Sequence, residues 1–462
     1  MKKEERADSG KRFLVWGLGK TGIDVATHLA KRGEDVVVLE QRSAEKCAAA
    51  VQALEGLPVR FIWGRSNEEP LPEVDIVILS PGVPYDVPAL VDARERGIET
   101  ISEIGWVARQ LDIPMVAVTG SAGKSTTVSL LGEMLQQSGF STFVGGNLGI
   151  PFVRVLENPE SCQKIVLECS SFQLEATPAL GPQVAVLTNL QPNHLDRHKT
   201  MEKYAECKAQ LFLSLSEQAT IITQGNDPSV LPVIEGSKGQ RSYYVQEPLD
   251  DATPFTTADR EKVTIAHPDW GQETYALAGF SLVGQHNREN AAVAALAARL
   301  MGASADGIKK ALNSFTGLAH RLEEVRVSTD VRFFNDSKST TPDSSIRAIQ
   351  AFDPKLDSIR LMLGGRSKGT GFSQLIPVLQ EGIVGLYLFG EAAEEILQEL
   401  EGHVPVSISL YPGLREALES AHRDAGNGET ILLSPACTSF DQFSNFEQRG
   451  EKFKAWVKEL YT

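Results

Sequence analysis

The sequence predicts an α/β protein of three domains built around largely parallel sheets. Short apolar runs alternate with stretches whose apolar residues recur at helical spacing, a pattern typical of strand–helix–strand units. This rhythm starts again at "IPMVAVTG" (113–120) and at "VRFFNDSK" (331–338). A chain of 462 residues is long enough for several domains. We expect domains at residues 1–111, 112–317 and 318–462.

The individual elements follow in chain order. In the first domain we expect strands at 13–16, 35–40 and 74–80, with a helix after the first strand that closes at Gly33. In the second we expect strands at 113–120, 164–170 and 183–189, with helices at about 123–137 and 286–301. In the third we expect strands at 331–338, 358–365, 384–390 and 429–435. The polar segment 236–275 is expected to be a loop or a small β excursion.

Composition excludes several classes of function. The net charge of -15 argues against a general binder of nucleic acid or anionic membranes, which needs a basic face. Five cysteines without a CxxC pair argue against a disulfide framework or a zinc site. The N-terminus leads into no signal-type apolar region, and no apolar run is long enough to cross a bilayer. We therefore expect a cytoplasmic protein without stable membrane insertion.

The stretch "GLGKTG" places Gly17, Gly19 and Gly22 in G-x-G-x-x-G spacing between a predicted strand and a predicted helix. That context favours a nucleotide site, where backbone approaches pyrophosphate at a helix N-terminus. A tight turn without a ligand is the alternative. Glu40, eighteen residues after Gly22, would also suit the ribose of NAD, so an oxidoreductase stays open at this point.

The stretch "VTGSAGKSTT" (118–127) is a sharper signal. Its glycines allow N–H groups to converge on phosphate, Lys124 can reach the outer phosphates, and Ser125 can offer an oxygen to Mg²⁺. The spacing is two residues shorter than the usual Walker loop. The alternative is a glycine turn with an exposed lysine.

Other polar residues are ambiguous one at a time. Glu168 ends a strand beside this loop and could hold Mg²⁺ or be a solvated glutamate. The run "NHLDRH" with His194 reads as a polar loop beside an active site, and Lys208 alone reads as a surface lysine. Asn287 and Asn290 lie one turn apart on a helix, where they could touch a ligand or cap the helix start. Asp336 and Lys338 stand at a strand end, where α/β sheets bind ligands.

The motifs taken together resemble one family. "VTGSAGKSTT", "LECSSFQLE", "NHLDRH", "GQHNRENAAVAA", "GLAHRLE" and "NDSKST", in this order, are similar to the Mur ligases of peptidoglycan synthesis, over essentially the whole chain. "GLGKTG", "SPGVP", "GGNLG" and "SPACTSFDQFSNFEQRG" resemble the member that joins D-glutamate to UDP-N-acetylmuramoyl-L-alanine. The resemblance implies a Rossmann-like first domain, a P-loop-type ATPase domain and a Rossmann-like third domain. It also implies ATP-driven amide formation through an acyl phosphate.

The resemblance carries roles over to individual positions. It implies two Mg²⁺ ions and a carbamate on Lys208. It assigns catalysis to Lys124, metal binding to Ser125, and both roles to Glu168, His194 and Lys208. It implies ATP contacts at Gly120, Ser121, Gly123, Lys124, Ser125, Thr126, Asn287, Asn290, Arg321 and Asp336. It implies UDP-sugar contacts at Gly19, Lys20, Thr21, Gln41, Arg42, Gly82 and Asn147. It implies D-glutamate contacts at Lys338, Thr340, Lys368, Ser439 and Phe446.

Two positions depart from the family pattern. Ala122 replaces the usual asparagine of the phosphate loop, and Arg366 stands where an acidic residue is common. Three other functions remain as alternatives: a related amide ligase, an NAD-dependent oxidoreductase, and a non-catalytic nucleotide-binding regulator. We expect a monomer.

Overall fold

The computed structural model describes residues 8, 10–225, 227–247, 253–325 and 330–461. Contacts between Cα atoms divide the chain into two units. The first unit comprises Met1–Ala276 and Glu289–Leu312, and the second comprises Leu277–Arg288 and Asn313–Thr462. The domain boundaries near 111 and 317 stay a prediction.

The first unit begins with a five-stranded sheet in which every described pair is parallel. Its order is β3-β2-β1-β4-β5, from β1 (Arg12–Trp16), β2 (Asp35–Glu40), β3 (Val59–Trp63), β4 (Ile76–Leu79) and β5 (Glu99–Ser102). The accompanying helices are α1 (Lys20–Lys31), α2 (Ala48–Ala53), α3 (Pro88–Glu95) and α4 (Glu103–Ala108). The apolar run of β1 is almost wholly buried, as expected for a strand covered on both faces.

The same unit contains a nine-stranded sheet. Its order is β14-β13-β12-β11-β10-β9-β6-β8-β7. The strands are β6 (Met115–Thr119), β7 (Thr142–Gly146), β8 (Lys164–Glu168), β9 (Val184–Leu187), β10 (Thr220–Gln224), β11 (Gln240–Tyr244), β12 (Phe255–Ala258), β13 (Lys262–His267) and β14 (Gly271–Ala276). Only the pairs β12–β13 and β13–β14 are antiparallel among the described pairs of this sheet. The segment expected as a loop or β excursion therefore supplies four strands.

The helices of this part of the chain cover the sheet at several points. They are α5 (Lys124–Gln137), α6 (Ser171–Glu175), α7 (Leu195–His198), α8 (Met201–Leu213), α9 (Leu231–Ile234), α10 (Gln285–Leu300) and α11 (Ala305–Ser314). Short 3₁₀ turns occur at Glu45–Cys47, Phe152–Glu157 and Pro159–Ser161. A continuous apolar cluster includes Phe13 and Val36 of the first sheet and Ala117 and Leu167 of the second, and burial of each large apolar side chain stabilises the fold by roughly 1.5–3 kcal/mol.

The second unit is built on a six-stranded sheet of order β15-β16-β20-β17-β18-β19. The strands are β15 (Glu323–Val325), β16 (Arg332–Asn335), β17 (Ile359–Gly364), β18 (Ile383–Phe389), β19 (Ile408–Tyr411) and β20 (Thr430–Ala436). The helices are α12 (Pro342–Ile349), α13 (Ala393–Leu400), α14 (Leu414–Asp424) and α15 (Phe446–Glu459), with a 3₁₀ segment at Ser373–Leu379. Only β15 runs antiparallel to its described neighbour.

The three sheets confirm the predicted α/β class and its parallel character. The "GLGKTG" segment follows β1 and the "GSAGKST" segment follows β6, each at the carboxyl end of its strand. Among the described helices, none has the length and apolar character needed to cross a membrane.

Candidate active site

The glycine loop leaves the carboxyl end of β6 and becomes α5 at Lys124. Its geometry requires glycine at two positions. Gly120 has a φ of 142°, and Gly123 caps the helix with a φ of 82°. A Cβ on Gly123 would lie 2.4 Å from Oδ1 of Asn290, far inside van der Waals contact. The loop is therefore a close-packed turn whose backbone leads straight into a helix N-terminus, as a phosphate site requires.

Two residues after β9 hold this loop. Thr188 donates from Oγ1 to the carbonyl of Ala122 at 2.6 Å. The amide of Asn189 binds Ala122 from both sides, since its Oδ1 accepts from the backbone N–H at 3.0 Å and its Nδ2 donates to the carbonyl at 3.1 Å. Sequence reasoning missed both residues. A polar pair directly after a buried strand that neighbours β6 is the signal that could have identified them.

Lys124 and Lys208 converge on one backbone carbonyl. Nζ of Lys124 donates to the oxygen of Gly120 at 2.8 Å, and Nζ of Lys208 donates to the same oxygen at 2.9 Å. Lys208 is 1% exposed, so the alternative of a surface lysine is wrong. Burial, with the nearby charge of Lys124, holds the pKa of the Lys208 amine well below its usual range.

Glu168 lies at the end of β8 with 2% of its surface exposed, so it is not a solvated glutamate. Its Oε1 accepts a hydrogen bond from Nδ2 of Asn147 at 2.6 Å. Its buried Oε2 has no hydrogen-bond partner among the described residues. A buried carboxylate oxygen in that state suits a hard cation, and Mg²⁺ prefers such oxygen ligands. The residues present therefore fit a magnesium ion.

His194 precedes α7 with a left-handed φ of 54°. Burial, followed by the charge of Lys124, lowers the pKa of its imidazole. The neutral imidazole is the form whose unprotonated ring nitrogen can bind a metal ion. His198 is buried instead and bonds Oγ of Ser171 at 2.9 Å through Nε2, which indicates a structural role. Among the described residues, no group of three or more His, Cys, Asp or Glu side chains is arranged to hold a metal ion. The predicted metal set differs from such a group because it includes the Ser125 hydroxyl.

The asparagines predicted on one helix lie on α10. Asn287 donates from Nδ2 to the carbonyl of Val283 at 2.7 Å, and Oδ1 of Asn290 accepts from Oγ1 of Thr127 at 3.3 Å. Asn290 thus packs against both the loop glycine and the helix that follows it.

The loops of the first sheet gather the residues expected at the UDP-sugar. These residues follow the ends of three neighbouring strands, β2, β1 and β4. Gln41 and Arg42 follow β2, Gly82 follows β4, and Gly19, Lys20 and Thr21 lie after β1, at the start of α1. Lys20 donates from Nζ to the carbonyl of Gly149, close to Asn147 along the chain. A Cβ on Gly22 would lie 1.9 Å from the carbonyl oxygen of Gly17, which explains the third glycine of the motif.

Glu40 is engaged by its own surroundings. Its Oε2 accepts from the backbone N–H of Leu18 at 2.9 Å and from Arg42 at 2.9 Å. Hydrogen bonds from Arg42 are the main reason that the pKa of this carboxyl is lowered to about 2. The carboxylate that would suit an NAD ribose therefore stabilises the turn instead.

The second unit gathers the remaining predicted residues at the edge of its sheet. Asp336 follows β16 and is buried, and its Oδ2 accepts from Ser339 at 2.5 Å and from Ser434 at 2.8 Å. Burial raises its pKa to about 6, while the charge of Arg321 acts in the opposite direction. Nζ of Lys338 lies 3.8 Å from the ring centre of Phe446.

The other members of that group lie on adjacent loops. Nζ of Lys368, after β17, donates to Oγ1 of Thr340 at 3.4 Å, and Ser439, after β20, is buried. Arg366 forms a two-pronged ion pair with Glu391 at 2.8 and 2.9 Å. Sequence reasoning also missed Arg449, which is 0% exposed and contacts the same loops.

A phosphate-type glycine loop with a buried carboxylate and a buried lysine at the same sheet edge defines a P-loop-type α/β protein. Three family models match successive parts of the chain. They are the Mur ligase MurD-like N-terminal domain at residues 11–102, the Mur ligase middle domain at 118–298 and the Mur ligase glutamate ligase domain at 320–437. The chain belongs to the Mur ligase family.

Curated relatives extend over almost the whole chain. The UDP-N-acetylmuramoylalanine--D-glutamate ligase of Desulfatibacillum aliphaticivorans is 38% identical over 98% of this chain and 99% of its own length. The protein of the same name from Geobacter metallireducens is 36% identical over 98% of each chain.

Solved structures share the fold at low sequence identity. The MurF ligase of Thermotoga maritima in complex with ADP has a TM-score of 0.60 at 17% identity, covering 97% of this chain and 98% of its own. A pseudomurein peptide ligase type C from Methanothermus fervidus has a TM-score of 0.57 at 16% identity, covering 98% and 100%.

Proposed function

We propose that this chain is an ATP-dependent ligase that joins D-glutamate to UDP-N-acetylmuramoyl-L-alanine in the synthesis of peptidoglycan precursors. The observation that carries the proposal is the 38% identity, over 98% of the chain, to a relative named for that reaction. The protein acts as a monomer in the cytoplasm. Residues 1–111 bind the UDP-sugar, 112–317 bind ATP and 318–462 bind the amino acid.

The chemistry explains why the ligase needs ATP. A carboxylate is a poor acylating agent, so the alanine carboxylate attacks the γ-phosphate of ATP, displaces ADP and becomes an acyl phosphate. The amine of D-glutamate then adds to this carbonyl, and the tetrahedral intermediate expels phosphate to form the amide. Catalysis depends on holding three anionic groups together and stabilising the charge that develops.

The first unit supplies the groups for the phosphates. The backbone of Gly120, Ser121 and Gly123 cradles them with help from Thr126, and Lys124 binds the outer two. Ser125, Glu168 and His194 would hold two Mg²⁺ ions, which neutralise charge when bound. The unpartnered buried oxygen of Glu168 supports this set.

Lys208 is suited to become a carbamate. A neutral amine is the form that reacts with CO₂, and burial beside Lys124 favours the neutral amine. The carbamate would add a carboxylate next to the Gly120 carbonyl and support the metal ions.

The remaining predicted residues bind the organic parts of the substrates. Asn287, Asn290, Arg321 and Asp336 contact ATP. The first-sheet loops bind UDP through Gly19, Lys20, Thr21, Gln41, Arg42 and Gly82, and Asn147 meets the sugar. Lys338, Thr340, Lys368, Ser439 and Phe446 surround D-glutamate, whose two carboxylates need cations and hydroxyls.

Phosphate release tests the proposal. The purified protein receives ATP, Mg²⁺ and UDP-N-acetylmuramoyl-L-alanine, with D-glutamate, L-glutamate or L-alanine supplied in turn. Release with D-glutamate alone is expected. Release with another amino acid would overturn the specificity, and no release with any acceptor would overturn the ligase activity.

A further inference from the structure

Arg449 is a buried cation whose described hydrogen-bond acceptors are a hydroxyl and two carbonyls and include no carboxylate. It lies in the first turn of α15 with 0% of its surface exposed. Its Nε donates to Oγ of Ser337 at 3.0 Å, and its Nη2 donates to the carbonyls of Ser337 at 2.9 Å and Cys437 at 3.1 Å. No carboxylate among the described residues accepts a hydrogen bond from it, and Nη1 has no hydrogen-bond partner there. Such a charge is costly to bury unless something else compensates for it.

The three segments around this guanidinium belong to neighbouring strands. Ser337 follows β16, Cys437 follows β20, and a Cβ on Gly365, after β17, would lie 3.1 Å from Nη1. These strands are adjacent in the order β16-β20-β17. Arg449 therefore touches all three loops at the carboxyl edge of this part of the sheet.

The same loops carry the proposed D-glutamate residues. Lys338 is next to Ser337, Ser439 is two residues after Cys437, and Lys368 is three residues after Gly365. Ser337 is also tied to α15, because its Oγ donates to the carbonyl of Phe446 at 2.8 Å. One side chain thus sets the spacing of several groups expected to meet the amino acid.

Charge adds to this mechanical role. Burial lowers the pKa of Arg449 to about 10, so the group stays protonated near neutral pH. Its field acts in a site of low dielectric, where it is weakly screened. The carboxylates of Asp441 and Asp336 act on this charge without hydrogen bonding to it, and a dicarboxylic amino acid would add further negative charge beside them.

We propose that Arg449 is a positioning residue for the amino-acid substrate. It fixes the loops after β16, β20 and β17 in register and supplies positive charge that a carboxylate of D-glutamate offsets. This inference rests on the proposed ligase function and deepens it.

Steady-state kinetics of Arg449→Lys test the inference. Lysine keeps the charge but cannot reproduce the guanidinium contacts to Ser337 and Cys437. The KM for D-glutamate is expected to rise about tenfold or more, because loop spacing is lost. The KM for the UDP-sugar should stay within about twofold, since that subsite is assigned to residues of the first unit.

Two further variants keep the test decisive. Ser337→Ala removes one hydroxyl contact and should raise the KM for D-glutamate by about threefold. Arg423→Lys, at an exposed arginine on α14, is the matched control and should leave every KM unchanged. Melting temperatures of all variants separate a folding defect from a binding defect.

The kinetic results distinguish the positioning role of Arg449 from the proposed ligase activity. If the wild-type protein uses D-glutamate but Arg449→Lys and Ser337→Ala leave its KM unchanged, the positioning role is overturned and the ligase function stands. Equal increases in all three KM values would likewise overturn the role, because they indicate a general structural effect. If the wild-type protein releases no phosphate with any amino acid, both are overturned.

Discussion

Replacing Gly120 by alanine would disturb the phosphate-binding loop at its tightest point. A Cβ there would lie 2.0 Å from Oγ1 of Thr188 and 3.2 Å from the backbone of Asn189. A residue with a Cβ pays about 1–3 kcal/mol for the positive φ at this position. Thr188 must also turn away and break its hydrogen bond to Ala122, which costs about 1 kcal/mol. We expect the free energy of unfolding of the first unit to fall by about 2–4 kcal/mol.

A double-mutant cycle measured by urea unfolding checks the origin of that loss. In a Thr188→Ala background the clash and the hydrogen bond are already gone, so Gly120→Ala should cost about 1 kcal/mol less than in the wild-type protein. Gly426→Ala is the control, because the nearest atom to its Cβ is at an ordinary 3.5 Å, and it should change stability by less than about 0.5 kcal/mol. Additive effects of Gly120→Ala and Thr188→Ala would refute the steric reasoning.

Three further predictions concern metal binding, pH dependence and an exposed ion pair. Glu168→Gln should reduce the rate of phosphate release at least about a hundredfold, because a neutral amide is a weak ligand for Mg²⁺. The control is Glu217→Gln, at an exposed glutamate. Full activity of Glu168→Gln would exclude this carboxylate as a metal ligand. Burial raises the pKa of Glu103 from 4.5 to about 7, so the folded state keeps a proton that the unfolded state releases between these values. The free energy of unfolding should therefore fall as pH rises from 4.5 to 7, and Glu103→Gln should remove up to about 3 kcal/mol of that fall. Calorimetric melting at pH 5 and pH 8 measures the stability of the variant relative to the wild-type protein. An equal difference at both pH values would contradict the prediction. Arg366→Ala should change the KM for D-glutamate by less than about threefold, because the Arg366–Glu391 pair is exposed, whereas a tenfold rise would place Arg366 in the amino-acid pocket.

Much of the fold could be predicted because its signals are local. The strands at 13–16 and 35–40 and the helix over 124–137 follow from apolar periodicity and from glycines at their ends. The segment 236–275 was harder to predict because its strands are partly polar. β14, for example, has four exposed residues out of six, so it lacks the apolar run that marks a buried strand.

The residues that support the site were not predictable in the same way. Asn189 is 67 residues from Ala122 along the chain. Arg449 belongs to the motif "SPACTSFDQFSNFEQRG", but it is 112 residues from Ser337, which it contacts. Hydrogen bonds of this kind depend on which strands become neighbours. Strand order is a property of the whole sheet and cannot be inferred from either residue alone.

The sequence by itself determined the α/β class, the glycine loop with its lysine, and the order of motifs that places the chain among the Mur ligases. Each of these depends on residues close together along the chain or on motif order. Only the tertiary structure decided that Lys208 is buried against the Gly120 carbonyl, that Glu168 has a buried oxygen with no hydrogen-bond partner among the described residues, and that Arg449 joins three loops. Burial and pairing arise from packing between distant segments, and they decide whether a lysine or a glutamate is a solvated surface group or part of a site.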